Sequence, residues 1–209
     1  MWFPMLCTGV RRRRQKTAMK PGGGKNKGSS FERQVCRILT EWITGKPRPE
    51  IFWRTATSGG KFTVDAKSGI RGKMPGDVMA IAGGGGSWFA PPDGAFVIEC
   101  KSVGRLDLMG IVFRKGDLYS WWTKLVQLAK GYSIRPLLIA HQKGRPTLVM
   151  FDGEFWRLFT DYGGGYPHGT IRARVSPSDE AVICVLDDWL KFFDPATIKL
   201  FLRVTLGRR

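Results

Sequence analysis

Charged residues at the ends of two apolar segments are the feature that most constrains the fold of this chain. The first segment is Asp77-Val78-Met79-Ala80-Ile81, and the second is Phe96-Val97-Ile98-Glu99-Cys100-Lys101. Short runs of apolar or small residues bounded by glycine and proline are typical of buried β-strands. An unpaired carboxylate or ammonium is costly to remove from water. We therefore expect two neighbouring strands whose charged ends meet, with a divalent metal ion to compensate the two carboxylates.

The charge of the chain indicates the kind of partner. The 209 residues carry a net charge of +17, and 43% of them are hydrophobic. That apolar content favours a folded protein of one medium domain, or one domain with an extension, over a disordered chain. A large basic excess usually serves a polyanionic partner, most often nucleic acid, because each neutralised phosphate releases counterions. The composition therefore predicts nucleic-acid binding.

The N-terminal residues hold much of this excess. Residues 1–28 contain eight basic residues and no acidic residue. This glycine-rich segment cannot form a core, so it is predicted to be a disordered basic arm, with Met19 as an alternative start. The apolar Met1–Val10 precedes the basic run, which is the reverse order of a secretory signal, and no stretch approaches the roughly 18 apolar residues of a membrane span. We expect a soluble cytoplasmic protein with no membrane contact.

Apolar spacing predicts an α/β fold. The first helix begins near Ser29-Ser30, which can cap it, and ends at Thr44. Strands follow at 51–55, around Asp77, around Glu99, at 135–140 and at 147–151, with a helix at 118–131 and a loop or loose hairpin at 56–76. This order predicts a central mixed β-sheet flanked by helices. Beyond residue 150 we expect strands and a final helix over Pro195–Val204.

The charged strand ends suggest a chemistry. Carboxylate oxygens suit Mg²⁺, with Mn²⁺ as a substitute, so Asp77 and Glu99 are predicted to share one ion with the backbone carbonyl of Cys100. Strand alternation puts Lys101 on the same face as Glu99, where its ammonium could stabilise charge that develops on a phosphate. Glu32, near the edge of the core face of the first helix, could reach the same place as a ligand or as a partner of the ligands. These groups suit phosphodiester hydrolysis.

No other cofactor is predicted. The four cysteines form no CxxC pair and the chain has two histidines, so the residues do not favour a structural zinc site. We expect no small-molecule cofactor.

Three segments carry a family resemblance. Lys27-Gly28-Ser29-Ser30-Phe31-Glu32-Arg33, Pro75-Gly76-Asp77 and Glu99-Cys100-Lys101 together resemble the PD-(D/E)xK nuclease superfamily, and within it the archaeal and phage type of Holliday junction resolvase. The resemblance covers about residues 27–150. It implies a restriction-endonuclease-like core over 29–150. It also implies a metal-dependent endonuclease that cuts four-way DNA junctions as a homodimer. The implied setting is DNA recombination or replication, with the protein encoded by a virus.

The resemblance also implies roles for individual residues. The catalytic set would be Glu32, Asp77, Glu99 and Lys101, together with Ser58, since Ser58-Gly59 stands where the family has Ser-Gly. The residues expected to bind nucleic acid are Lys27, Arg33, Arg54, Lys61, Lys67, Arg71 and Lys73; the last four lie in a stretch that is longer than the family usually has, so the resemblance does not cover them.

Two alternatives remain open from the sequence. The protein could be a nuclease of this superfamily that acts on flaps, linear duplex or single strands. It could also be a non-catalytic nucleic-acid-binding protein. Residues 151–209 have no counterpart in the resemblance, and we expect them to form an extension packed on the core or on the partner subunit.

Overall fold

A computed structural model describes residues 23–46, 51–55, 75–81, 85–161, 165, 167–177 and 179–206. These residues form helices on both faces of a central β-sheet, with a second, two-stranded sheet at one edge. In chain order the elements are α1 (Gly23–Thr44), β1 (Phe52–Arg54), β2 (Val78–Ala80), β3 (Phe96–Val103), α2 (Met109–Val112), α3 (Gly116–Tyr132), β4 (Arg135–Gln142), β5 (Leu148–Asp152), α4 (Gly153–Asp161), β6 (Ile171–Arg174), β7 (Glu180–Val185), α5 (Leu186–Phe192) and α6 (Pro195–Leu206).

The central sheet is mixed. Its strand order is β3-β4-β5-β7-β6, in which β3 and β4 are parallel and every other pair is antiparallel. Helix α3 supplies the long crossover that a parallel pair requires. Strands β1 and β2 pair with each other in antiparallel register, Trp53 opposite Met79. The predicted fold class, a mixed sheet flanked by helices, is confirmed.

Two hydrophobic layers sandwich the sheet. Helices α1, α4, α5 and α6 pack on one face, and α2 and α3 pack on the other. In α3 the buried positions Leu118, Trp122, Leu125 and Ala129 are spaced by four, three and four residues, so one helix face meets the sheet. Among the described residues, no helix is long and apolar enough to cross a membrane.

Helix α1 begins at Gly23, earlier than the predicted start at Ser29-Ser30. The two serines lie inside the helix, since no proline stands between Pro21 and them to interrupt it. The last six residues of the arm predicted to be disordered are therefore helical, and residues 1–22 lie outside the described part of the chain.

Residues beyond 150 take part in the same sheet and the same core. Strands β6 and β7 form its far edge, and the expected final helix is α6. Helix α4 was not predicted as a helix. Asp152 stabilises its start, because the Asp152 carboxylate accepts a hydrogen bond from the Phe155 backbone N–H at 2.7 Å.

Trp42 links the first helix to the C-terminal helices. Its indole N–H donates to the backbone carbonyls of Leu190 and Phe193 at 3.0 and 2.9 Å. The last carbonyls of a helix have no partner within it, so Trp42 satisfies groups at the end of α5. Helices α1 and α5 are thus joined on one face of the sheet.

We predict that Trp42→Phe destabilises the protein by about 1–2 kcal/mol, because it leaves half-buried carbonyls without their donor. The free energy of unfolding from urea titration measures this. Trp53, which is 60% exposed, offers the matched control, and Trp53→Phe should change stability by less than about 0.5 kcal/mol. Equal effects of the two changes would contradict a coupling of α1 to α5 through the indole N–H.

Candidate active site

Asp77 is attached to the free edge of β3 by its backbone and by its side chain. Its N–H donates to the Ile98 carbonyl at 2.7 Å. Its carboxylate accepts a hydrogen bond from the Cys100 N–H at 2.8 Å. The Asp77 carbonyl in turn accepts from the Thr55 N–H at 2.9 Å. Asp77 is 4% exposed, so the local fold holds a buried carboxylate against the strand that carries Glu99 and Lys101.

Gly76 makes this close approach possible. Its φ is +87°, a left-handed backbone conformation that residues with a side chain rarely adopt. A Cβ at this position would lie 2.6 Å from the Ile98 carbonyl oxygen, the same oxygen that accepts the Asp77 N–H. The glycine before Asp77 is therefore a requirement of the strand contact, and that requirement gives a physical reason for the Pro75-Gly76-Asp77 segment.

The surroundings of Asp77 disfavour its negative charge. Burial raises the pKa of the Asp77 carboxyl from 3.8 to about 7, and the negative charges of Glu99 and, more weakly, Glu32 act in the same direction. The Cys100 N–H and the Lys101 ammonium oppose this rise without cancelling it. A cation near Asp77 would relieve the cost of its ionised form.

Glu99 and Lys101 form an ion pair on one face of β3. Val97 lies in the core between the sheet and α3, and alternation puts Glu99 and Lys101 on that same face. Burial alone would lower the pKa of Lys101, but attraction from Glu99 and from Asp77 raises it overall. The lysine therefore stays a cation beside the two carboxylates.

Glu32 approaches from the opposite face. Its neighbours Phe31 and Val35 belong to the core on the α1 side of the sheet. The Glu32 carboxylate is bound to Arg54 on β1, with Oε2 2.5 Å from Nε. Within the described ranges, no three Asp, Glu, His or Cys side chains come close enough to enclose a metal ion. Glu32 affects Asp77 electrostatically, across the edge of the strand.

The remaining predicted residues are placed less directly. Arg33 is exposed on α1, whereas Arg54, expected to bind nucleic acid, contacts Glu32. Lys27 lies in α1, but its side chain is outside the description. Others fall in residues 56–74, outside the described part: Ser58, Lys61, Lys67, Arg71 and Lys73.

Two residues that sequence reasoning did not assign also lie at this site. Thr55 is 2% exposed, and its hydroxyl donates to the Gly76 carbonyl at 2.7 Å. The ring of Trp121, on α3, has its centroid 6.0 Å from the Lys101 ammonium. Each contact joins residues distant in the chain, and no local spacing indicates such a contact.

Comparison with known proteins gives the family. Residues 23–199 match the model of a family described as "Phage putative PDDEXK endonuclease". The chain belongs to this endonuclease family. The match includes α1, the Asp77 segment and β3, and it continues past residue 150 to α6. The predicted PD-(D/E)xK relationship is confirmed.

One solved structure similar to the endonuclease is Hjc of Archaeoglobus fulgidus, a Holliday junction resolvase from an archaeal hyperthermophile. The two share 12% sequence identity over 83% of this chain and 95% of that one, with a TM-score of 0.31. A search of curated proteins found no match.

The donor set of the endonuclease fits a hard divalent cation. PD-(D/E)xK nucleases generally use divalent metal ions. Asp77 offers carboxylate oxygens at the edge of β3, and Glu99 offers carboxylate oxygens on the adjoining α3 face. In a β-strand, the N–H and the C=O of one residue point to the same side. The Cys100 carbonyl therefore faces the edge of β3 at which the Cys100 N–H bonds to Asp77. Oxygen donors with room left for water are what Mg²⁺ prefers.

We predict that Gly76→Ala lowers both stability and nuclease activity, since a Cβ there would overlap the Ile98 carbonyl. Gly144 offers a matched control, with φ +73° and no atom within 4 Å of the place that a Cβ would take. Gly144→Ala should cost about 1–2 kcal/mol from left-handed strain alone and should leave cleavage unchanged. Urea unfolding and cleavage assays on both variants measure this, and equal losses would contradict the role of the close approach.

Proposed function

We propose that this endonuclease is a Mg²⁺-dependent DNA endonuclease whose active site is formed by Asp77, Glu99, Lys101 and Glu32. The observation that carries the proposal is the buried Asp77 carboxylate, bonded to the edge of β3 at Cys100 and flanked by the Glu99–Lys101 pair. A carboxylate held in this way, with its pKa raised by burial, suits the binding of a cation better than any structural role.

Each residue has a distinct part in the proposed reaction. Asp77 and Glu99, with the Cys100 carbonyl, would hold Mg²⁺, and Mn²⁺ could replace it. The chemistry that such an ion supplies is neutralisation of phosphate charge and activation of water. Water attacks phosphorus, the bridging P–O bond breaks, and the leaving oxygen takes up a proton. Lys101 stabilises the charge that builds on the phosphate oxygens, and Glu32, bound by Arg54, orients the first helix toward the site.

We further propose that the substrate is a four-way DNA junction and that the enzyme acts as a homodimer. The support is the segment from Lys27 to Arg33, which is similar to the opening segment of junction resolvases, together with the net charge of +17. Resolving a junction requires two coordinated cuts, and a two-fold dimer with two active sites provides them. The basic charge supplies affinity for the phosphate backbone.

The substrate is tested with end-labelled four-way, flap, linear duplex and single-stranded DNA in the presence of Mg²⁺. We expect paired, symmetric nicks in the junction and little cutting of the other forms, and we expect light scattering to give the mass of a dimer. Equal cutting of linear duplex, or a monomer that is fully active, would overturn the junction proposal but would leave the proposed endonuclease activity in place. Tight binding of DNA with no cleavage in the presence of any divalent metal ion would favour a non-catalytic DNA-binding protein.

The metal assignment predicts the behaviour of Asp77→Asn. This variant should bind the same DNA with unchanged affinity but cleave it at least about 100-fold more slowly, because it loses a charged ligand while keeping the shape of the side chain. Single-turnover cleavage and filter binding measure the two quantities. Asp187, exposed on α5, provides the control, since Asp187→Asn should cleave normally. Retained cleavage by Asp77→Asn would refute the assignment.

A further inference from the structure

Lys101 has a second contact besides Glu99. Its ammonium lies 6.0 Å from the centroid of the Trp121 ring, within the range over which a cation is attracted to an aromatic face. Trp121 is half-buried on α3, and the helix packs on the same face of the sheet from which Glu99 and Lys101 project. The tryptophan therefore lies against the lysine in a partly desolvated setting, where such an attraction is stronger than at an exposed site.

The contact with Glu99 cannot hold Lys101 equally well in the metal-free and the metal-bound enzyme. In the structure the Glu99 carboxylate binds Lys101, yet the proposed function requires that carboxylate as a metal ligand. Oxygens engaged with a divalent ion attract a neighbouring ammonium less, so the ion pair weakens when the site is loaded. The aromatic ring of Trp121 binds no hard metal ion, and its attraction for Lys101 persists.

The position of Trp121 is fixed by its neighbours on the helix. The adjacent Trp122 is 1% exposed, and Leu118 and Leu125, one turn to either side, are each 3% exposed. These side chains anchor the middle of α3 in the core beneath the sheet. A ring on this stretch of helix provides a steadier support than a side chain on a loop would.

We propose that Trp121 is a positioning residue that holds the Lys101 ammonium in place when Glu99 binds the metal ion. This inference rests on the proposed function, because it assigns Trp121 a task in the cleavage reaction through Lys101. It predicts that the aromatic ring, rather than apolar bulk, is what matters at position 121. It also predicts that loss of the ring affects the rate of cleavage more than the affinity for DNA.

The first measurement needs no activity. In metal-free protein labelled with ¹³C-lysine, the ε-methylene signal of Lys101, assigned by its loss in Lys101→Arg, should be shifted upfield by the ring current of Trp121. Trp121→Leu should remove this shift and Trp121→Phe should retain part of it. Tyr132→Leu, which alters an aromatic residue three turns away on the same helix and 46% exposed, should leave the signal unchanged. An unchanged Lys101 signal in Trp121→Leu would overturn the inference.

The second measurement is single-turnover cleavage with Mg²⁺ on the DNA that the wild type cuts. Trp121→Leu should lower the rate by about 2- to 30-fold, the range expected for loss of one cation–aromatic contact, while the dissociation constant changes by less than twofold. Trp121→Phe should recover most of the rate, and Tyr132→Leu should match the wild type.

The outcomes separate the two proposals. If the wild type cuts DNA and Trp121→Leu cuts equally well, the positioning role of Trp121 is wrong while the endonuclease proposal stands. If Trp121→Phe is as slow as Trp121→Leu, the ring is not what matters, and the role is again wrong. If the wild type cuts no DNA with Mg²⁺ or Mn²⁺, the proposed function fails and the inference fails with it.

Discussion

The attachment of Asp77 to the edge of β3 is the contact on which the site depends. Strands β1 and β2 have only three residues each, and a two-stranded ribbon of that size is not stable in isolation. It stays in place because Asp77 bonds to Ile98 and Cys100 through backbone and carboxylate, and because Ala80 donates to the Pro91 carbonyl at 2.7 Å. The same bonds that hold the ribbon therefore place the carboxylate beside Glu99.

The plane of the sheet divides the charged groups. Glu99 and Lys101 lie on the α3 side of β3 and compensate each other. Glu32 and Arg54 do the same on the α1 side. Asp77 lies at the strand edge between the two pairs and makes no ion pair with any described residue. Because no described residue forms an ion pair with Asp77, the rise in pKa that burial causes is not fully offset, and the pKa reaches about 7. For the same reason the position suits a cation supplied from outside the chain.

How much of the fold and the site could be predicted from the sequence depends on how far apart in the chain the interacting residues lie. Strand alternation is local, so the shared face of Glu99 and Lys101 followed from the sequence, and so did the presence of a helix over 118–131. Helix α4 was missed because Phe155 to Phe159 is too short and too apolar to separate a helix from a strand by periodicity. The Glu32–Arg54 pair spans 22 residues, and the Trp121 ring meets Lys101 only through the packing of α3. Neither contact has a local signature.

The C-terminal residues contribute to the site through the aromatic core rather than through any ligand. Phe89 contacts Trp42 of α1, Phe52 of β1, Phe96 of β3 and Trp189 of α5, with ring centroids 4.9 to 6.4 Å apart. Because interiors are close-packed, a shift of α5 would be transmitted to the helix and the strands that present Glu32, Arg54 and Glu99. The family match extends to residue 199, well past the strands that carry the charged residues. Through Trp189 and Phe89, α5 thus supports the packing of α1 against β3, the helix and the strand that carry Glu32 and Glu99.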